Sequence, residues 1–263
     1  MSNEEPSAFT VGTPPNRRRI AFRRRRPARA KAPGLVWLCG YRSDMDSTKA
    51  SALDAEAARL GLGFLRFDYS GHGRSEGTLE DGTISLWLEE ALAIIRAESK
   101  GPQILLGSSM GGWLALLAAR ALQQAREGGR VAGLILIAPA VDFTEALLWE
   151  RLPEDARRAI MEEGAWRRRS AYSDEPDVFT RALIEDGRKH LLFGGMIRTG
   201  CPTVVLQGMR DEDVPYAHAL ALVQRLGGDP ATLTLIKDGD HRLSRPQDLE
   251  LLFAAVERMA EAG

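Results

Sequence analysis

The sequence predicts an α/β fold: a mostly parallel central sheet, helices on both faces, and one inserted helical cap. Three observations predict it. Short apolar runs of strand length recur along the chain as near-continuous hydrophobic segments, the pattern of strands buried on both faces. Amphipathic stretches of helical period separate them. The alternation breaks once, from Asp142 to about Thr199, and then resumes, as an insertion into a continuous sheet requires.

The elements follow in order. Residues 1–16 are polar and carry Pro6, Pro14 and Pro15, so a disordered tail is expected there, with the folded domain spanning 17–263. Arg17 to Lys31 contains no acidic residue. It reads as an exposed hairpin or edge strand, where charge discourages sheet-to-sheet association. The alternative, a patch for an anionic surface, lacks aromatic interleaving. Leu35–Cys39 is a strand. Thr48–Leu60 is a helix opened by Asp46 or Ser47 as N-cap. Gly63–Phe67 is a strand and Ile84–Glu98 an amphipathic helix. Gln103–Leu106 is a strand, Met110–Arg126 a helix, and Val131–Ile137 a strand.

The inserted region shows no clear strand, several helical patches and dense charge. It holds Trp149 and Trp166 beside Arg151 and Arg167 to Arg169. Such a wall would suit an acyl chain joined to an acidic leaving group, unless the arginines face solvent. Thr203–Leu206, a helix over Tyr216–Leu226, the strand Thr232–Ile236 and a helix over Asp248–Met259 complete the pattern.

Composition excludes several functions. A chain of 263 residues suits one α/β domain with an insertion. A formal net charge of −1 argues against a general nucleic-acid binder. No apolar run approaches the roughly 20 residues that span a bilayer, and Met1 to Pro15 has no apolar core of a signal peptide. The two cysteines, Cys39 and Cys201, fall at opposite ends of their strands, roughly 17–20 Å apart. A disulfide needs Cα atoms within about 7 Å. Two reduced thiols and a cytoplasmic location are therefore expected. Four scattered histidines and no Cys-x-x-Cys give no metal-ligand spacing. Gly71-His72-Gly73-Arg74-Ser75 is too short, and in the wrong context, for a phosphate or dinucleotide loop. No metal or cofactor is expected.

Chemistry concentrates at Gly107-Ser108-Ser109-Met110-Gly111. This G-x-S-x-G lies between the strand Ile104-Leu105-Leu106 and a helical run beginning near Trp113, the context of a nucleophile elbow. Ser109 is its middle residue; Ser108 is read as packing under the turn. A serine hydroxyl needs a base in contact, and that base an orienting carboxylate. In this arrangement the chain order is Ser, acid, His. Asp211 follows the strand Thr203–Leu206, and His241 follows Thr232–Ile236. Asp142, after Val131–Ile137, is the competing acid; Glu212 and Asp213 lie further into a turn. His72 comes too early in the chain, and His190 and His218 fall in helical patterns. The oxyanion of acyl transfer needs two amide donors. Met110, next to the nucleophile, and Tyr41, after Gly40, are the candidates.

On these residues the chain resembles the α/β-hydrolases. The matching segments are Gly40 to Ala50, Phe67-Asp68-Tyr69-Ser70-Gly71, Gly107 to Trp113, Cys201-Pro202, Gly208 to Asp211 with Val214-Pro215, and Asp240-His241-Arg242. Within that family it is similar to the palmitoyl-protein thioesterase and acyl-glucuronide esterase group and its bacterial relatives. The likeness runs from about Pro33 to the C-terminus and is loose in the cap. It implies Ser109 as nucleophile, Asp211 as acid and His241 as base. It also implies cleavage of esters or thioesters of small-molecule or acylated-protein substrates. A catalytically silent binder of the same fold, a C–C bond hydrolase and a perhydrolase are the alternatives.

Overall fold

The computed structural model describes residues 5–29, 31–170 and 176–262. The chain builds an eight-stranded sheet and a separate two-stranded hairpin. Strands β1 (Ser7–Val11) and β2 (Arg18–Arg25) form an antiparallel hairpin. Then follow β3 (Gly34–Leu38), α1 (Thr48–Leu60), β4 (Phe64–Phe67), α2 (Ile84–Glu98), β5 (Gln103–Ser108), α3 (Met110–Gln124) and β6 (Val131–Ile137). The cap contains wide helical turns at Phe143–Leu148 and Ala159–Glu163, α4 (Glu154–Arg158), β7 (Ala165–Arg168), β8 (Asp177–Thr180) and α5 (Arg181–Gly187). The core resumes with β9 (Thr203–Gly208), α6 (Tyr216–Arg225), β10 (Ala231–Ile236) and α7 (Pro246–Ala262).

The sheet order is β1-β2-β4-β3-β5-β6-β9-β10. From β4 to β10 all neighbours run parallel; β2 joins β4 antiparallel. Right-handed crossovers then decide the layers. The step from β3 to β4 runs one way along the sheet, and those from β4 to β5 and β5 to β6 run the other. Hence α1 covers one face, where it packs on α7, while α2 and α3 pack together on the opposite face. Trp37, Trp87 and Trp113 are fully buried in this core.

Two expectations are corrected. The segment 1–16, expected to be disordered, contributes edge strand β1, with residues 1–4 outside the described residues. A period-2 signal too short to outweigh the prolines is responsible: Phe9 packs against the core and Val11 is buried. The cap, expected without a clear strand, holds the antiparallel hairpin β7–β8. Its strands have only four residues each, and arginines occupy half of β7.

The basic stretch forms β2, which lies inside the sheet between β1 and β4 as the second strand of the N-terminal hairpin and not at the edge, and four of its arginines are paired. Arg18 pairs with Glu89 and Glu90, Arg23 with Asp46, Arg24 with Glu98 and Arg25 with Asp54. Ile20, Ala21 and Phe22 are buried between them. Cys39 and Cys201 are buried and unbonded. Their strands are three sheet positions apart, which adds about 14 Å across the sheet.

Candidate active site

Strand β5 ends at Ser108 and α3 begins at Met110, so Ser109 carries the whole turn between them. Its φ of 54° and ψ of −121° are unfavourable for an L-residue. Neighbours hold it there. Its amide donates to Ile137 O at 2.9 Å, and its carbonyl accepts from Gly112 N at 2.9 Å and Ala140 N at 3.1 Å. The flanking glycine is required for space: a Cβ on Gly111 would sit 2.0 Å from Leu38 O. On the facing loop, a Cβ on Gly40 would come within 3.3 Å of Ser109 Cβ, so Gly40 brings that backbone against the serine.

Three loops at the carboxyl ends of the parallel strands converge here. His241, between β10 and α7, places Nε2 3.1 Å from Ser109 Oγ. Its Nδ1 lies 2.8 Å from Asp211 Oδ2. A carboxylate only accepts, so Nδ1 carries the proton and Nε2 is left to receive one from the serine. Asp211 is buried and fully engaged. Oδ2 also accepts from Gln207 Nε2 at 3.0 Å, and Oδ1 accepts from Asp213 N at 3.0 Å and Val214 N at 2.8 Å. Gln207 is a site residue that sequence reasoning missed. The available signal was a polar residue at the end of an otherwise apolar buried strand, Thr203-Val204-Val205-Leu206-Gln207.

The two candidate oxyanion donors both lie at the cleft that holds Ser109. Met110 is the first residue of α3, and first-turn amides have no acceptor within a helix. Tyr41 follows Gly40, and its amide donates to no backbone carbonyl among the described residues. Both residues line one cleft with Ser109. The Tyr41 side chain also braces the cap. Its hydroxyl donates to Val178 O in β8, and its ring stacks on Phe179 with centroids 5.6 Å apart. Burial pushes its phenol pKa up.

The competing residues are employed elsewhere. Asp142 accepts from Leu192 N at 2.8 Å and Phe193 N at 2.8 Å, clamping the end of the cap to its beginning. Burial raises its pKa despite those bonds. His72 is buried, with Nδ1 3.1 Å from Ser70 O, and burial lowers its pKa to about 4. His218 Nε2 donates to Val141 O at 2.8 Å. His190 meets Ser85 Oγ at 2.7 Å, and that hydroxyl donates to Asp186 at 2.8 Å. In this second Ser–His–Asp contact the hydroxyl proton points at the carboxylate, so the imidazole cannot act as its base. Ser47 occupies the N-cap of α1, but neither it nor Asp46 gives α1 a side-chain cap.

Two clefts meet at Ser109 and His241. One, of about 360 Å³, runs under the cap against Phe143, Leu147, Leu148, Leu152, Trp166 and Phe179. The other, of about 420 Å³, opens toward the start of α1, with Arg42, Ser43, Asp44, Lys49 and Arg242 in its wall beside Trp37 and Tyr41. The cap arginines divide. Arg151 and Arg168 reach the apolar cleft, Arg168 pairing with Asp177 at 3.1 Å. Arg167 is exposed and meets Glu80 at 3.8 Å. Trp149 is flanked by Arg157 and Arg188 instead.

Asp211, Asp213 and His241 bring potential ligand atoms within 4.8 Å of one another, a spacing a cation could use. Both Asp211 oxygens accept hydrogen bonds, and both His241 nitrogens face partners.

The family model described as "Alpha/beta hydrolase family" matches residues 12–253. The chain belongs to the alpha/beta hydrolase family. It is 35% identical over 243 residues to mitochondrial palmitoyl-protein thioesterase ABHD10 of Mus musculus, covering 92% of this chain and 79% of that one. The solved structure of mouse alpha/beta hydrolase domain-containing protein 10 superposes with a TM-score of 0.84 at 32% identity, covering 97% of this chain and 99% of that one. A protein of Agrobacterium vitis S4, described as a hydrolase, superposes with a TM-score of 0.93 at 52% identity, covering 97% and 98%. This chain is accordingly a hydrolase-family enzyme, similar to named thioesterases. No helix of the described residues is long and apolar enough to cross a membrane.

Proposed function

We propose that this hydrolase cleaves acyl esters and thioesters through Ser109, His241 and Asp211. The observation that carries the reading is the unbroken contact line from Ser109 Oγ to His241 Nε2 at 3.1 Å and from Nδ1 to Asp211 at 2.8 Å, beneath a cleft with an apolar wall. Ser109 Oγ attacks the acyl carbonyl while His241 Nε2 takes its proton. Asp211 holds the imidazole tautomer and stabilises the cation that forms. The amides of Met110 and Tyr41 receive the oxyanion. His241 returns the proton to the departing oxygen or sulfur, leaving an acyl group on Ser109. Water, activated by His241, then releases the acid.

The acyl group fits the apolar cleft under the cap, on a small molecule or on an acylated protein. The names of the thioesterase relatives support this substrate class. Two buried, unbonded thiols are consistent with a reducing compartment such as the cytoplasm; the curated relatives are named as mitochondrial.

The test is labelling with a fluorophosphonate, followed by turnover of nitrophenyl esters and acyl thioesters of graded chain length. Labelling of the wild type that disappears in Ser109→Ala is expected. A folded wild-type protein that takes no label and turns over neither substrate series would overturn the reading.

A further inference from the structure

We infer that Lys49 is a positioning residue for acyl transfer: reaching from α1, it fixes the peptide that follows His241 and so sets the imidazole between Ser109 and Asp211. The inference rests on the acyl-transfer reading above, because it concerns the placement of that reading's base.

The loop that carries His241 is strained. Leu243 has a φ of 43°, in the left-handed region that a non-glycine residue rarely adopts. Such a conformation persists only where its surroundings dictate it. The Leu243 side chain is buried, and a Cβ on Gly239 would come within 2.7 Å of its Cδ2. The peptide joining Arg242 to Leu243 is held at both ends. Its carbonyl, Arg242 O, accepts from Lys49 Nζ and from Ser244 Oγ at 3.0 Å. Its amide, Leu243 N, donates to Asp240 Oδ1 at 3.0 Å. Lys49 Nζ also donates to Ser244 Oγ at 3.4 Å. Asp240 and Ser244 belong to the loop itself. Lys49 lies 193 residues away from Arg242 in sequence, on a helix that packs on α7. It therefore ties the loop to the body of the fold. The fixed peptide begins one residue after His241, whose Nε2 lies 3.1 Å from Ser109 Oγ while Nδ1 lies 2.8 Å from Asp211.

The charge of Lys49 serves the same bonds. Among the described residues no carboxylate pairs with Nζ, so its protons go to the loop's carbonyl and hydroxyl. Burial lowers its pKa to about 8, with Asp240 and Asp248 opposing the shift and Arg242 adding to it. Arg42, Asp44, Asp177 and His241 line the cleft beside it. A charge-assisted bond is about twice as strong as a neutral one. Loss of the proton thus loosens the tie without cutting it.

The test measures kcat, KM and the rate of fluorophosphonate labelling in wild type, Lys49→Met and Lys49→Arg. Lys49→Met should lower kcat and labelling together by about ten- to a hundredfold, the effect of misplacing an oriented group by about 1 Å. The factor should be alike for nitrophenyl esters and for thioesters of uncharged thiols, since the base is displaced and no leaving-group contact is lost. Lys49→Arg should keep most of the rate. Wild-type kcat should fall severalfold as pH rises through about 8, a limb that Lys49→Arg should lack. In Lys49→Cys alkylated with bromoethylamine, whose amine is less basic, the limb should move to lower pH. These profiles decide the matter even where Lys49→Met does not fold. Folded Lys49→Met with kcat and labelling close to wild type overturns the inference. So does a wild-type profile without the limb, or a limb unmoved in both Lys49→Arg and the alkylated protein, which would leave Lys49 a merely structural role. If the wild type takes no label and hydrolyses no ester or thioester, the acyl-transfer reading fails instead. The proton resonance of His241 Nδ1, shared with Asp211, then judges the placement alone. Its loss in folded Lys49→Met and return in Lys49→Arg support the tie; an unchanged resonance in Lys49→Met overturns it.

Discussion

Gln207 Nε2 donates to Asp211 Oδ2 at 3.0 Å, the same oxygen that His241 Nδ1 meets at 2.8 Å. Gln207 also donates to Val214 O at 2.9 Å, so one amide group ties the carboxylate to the turn that carries it. Gln207→Ala should lower kcat by about ten- to a hundredfold, because a misplacement of about 1 Å costs that much in oriented chemistry. KM should change little. Steady-state kinetics on the folded variant decides the matter; a loss of stability with kcat intact would reduce Gln207 to a packing residue.

Asp211→Asn keeps the shape of the carboxylate but offers an N–H where His241 needs an acceptor. The imidazole then presents its other tautomer to Ser109. A fall in kcat of about 10⁴ is expected. The rate of fluorophosphonate labelling should fall with it, which separates loss of nucleophile activation from loss of substrate binding.

Asp142→Ala tests the competing acid. It leaves the amides of Leu192 and Phe193 without their acceptor. A destabilisation of about 2–4 kcal/mol is expected from orphaned buried donors, and thermal unfolding should show a lower Tm. Well below that Tm, turnover should stay within a few-fold of wild type. A collapse of turnover there would return Asp142 to the reaction.

Tyr41→Phe removes the bond to Val178 O while keeping the ring on Phe179. Stability should fall by about 1 kcal/mol. Because the β7–β8 hairpin walls the apolar cleft, KM for long acyl chains should rise severalfold, more than KM for short ones. Chain-length kinetics of the variant checks this; an equal change across lengths would argue against the coupling.

Asp68 makes a prediction about pH. It is fully buried, and desolvation pushes its carboxyl up to about 6 despite bonds from Arg74 N at 2.8 Å and Met45 N at 2.6 Å. A folded-state pKa above the unfolded value near 4 means that the native state favours the protonated form. Stability from this group is therefore present at low pH and lost as pH rises from about 4 to about 6, by about 2–3 kcal/mol. Asp68→Asn should flatten that part of the stability profile, measured by denaturant midpoints at stepped pH.

What could be read from the chain alone follows the strength of its periodic signals. Thr48–Leu60, Ile84–Glu98 and Val131–Ile137 coincide with the observed elements, since long amphipathic or fully apolar runs leave few alternatives. The meeting of Ser109, Asp211 and His241 was legible because each follows a parallel strand, and parallel strands share one carboxyl edge. The hairpin β7–β8 was not. Its pairing depends on contacts that composition does not carry, such as Tyr41 to Val178 across 137 residues. Strand β1 was hidden by the prolines around it. Gln207 was overlooked because its partner is a side chain four residues away, which no period marks.

The turn at Ser109 has a bearing on which nucleophiles this scaffold can accept. At a φ of 54° a branched Cβ collides with its own backbone. Threonine is therefore barred by torsion, although its hydroxyl is chemically equivalent to that of serine. Cysteine, unbranched at Cβ, remains admissible. The repertoire of attacking atoms is thus narrowed to oxygen on serine or sulfur on cysteine by backbone sterics, before reactivity has any say.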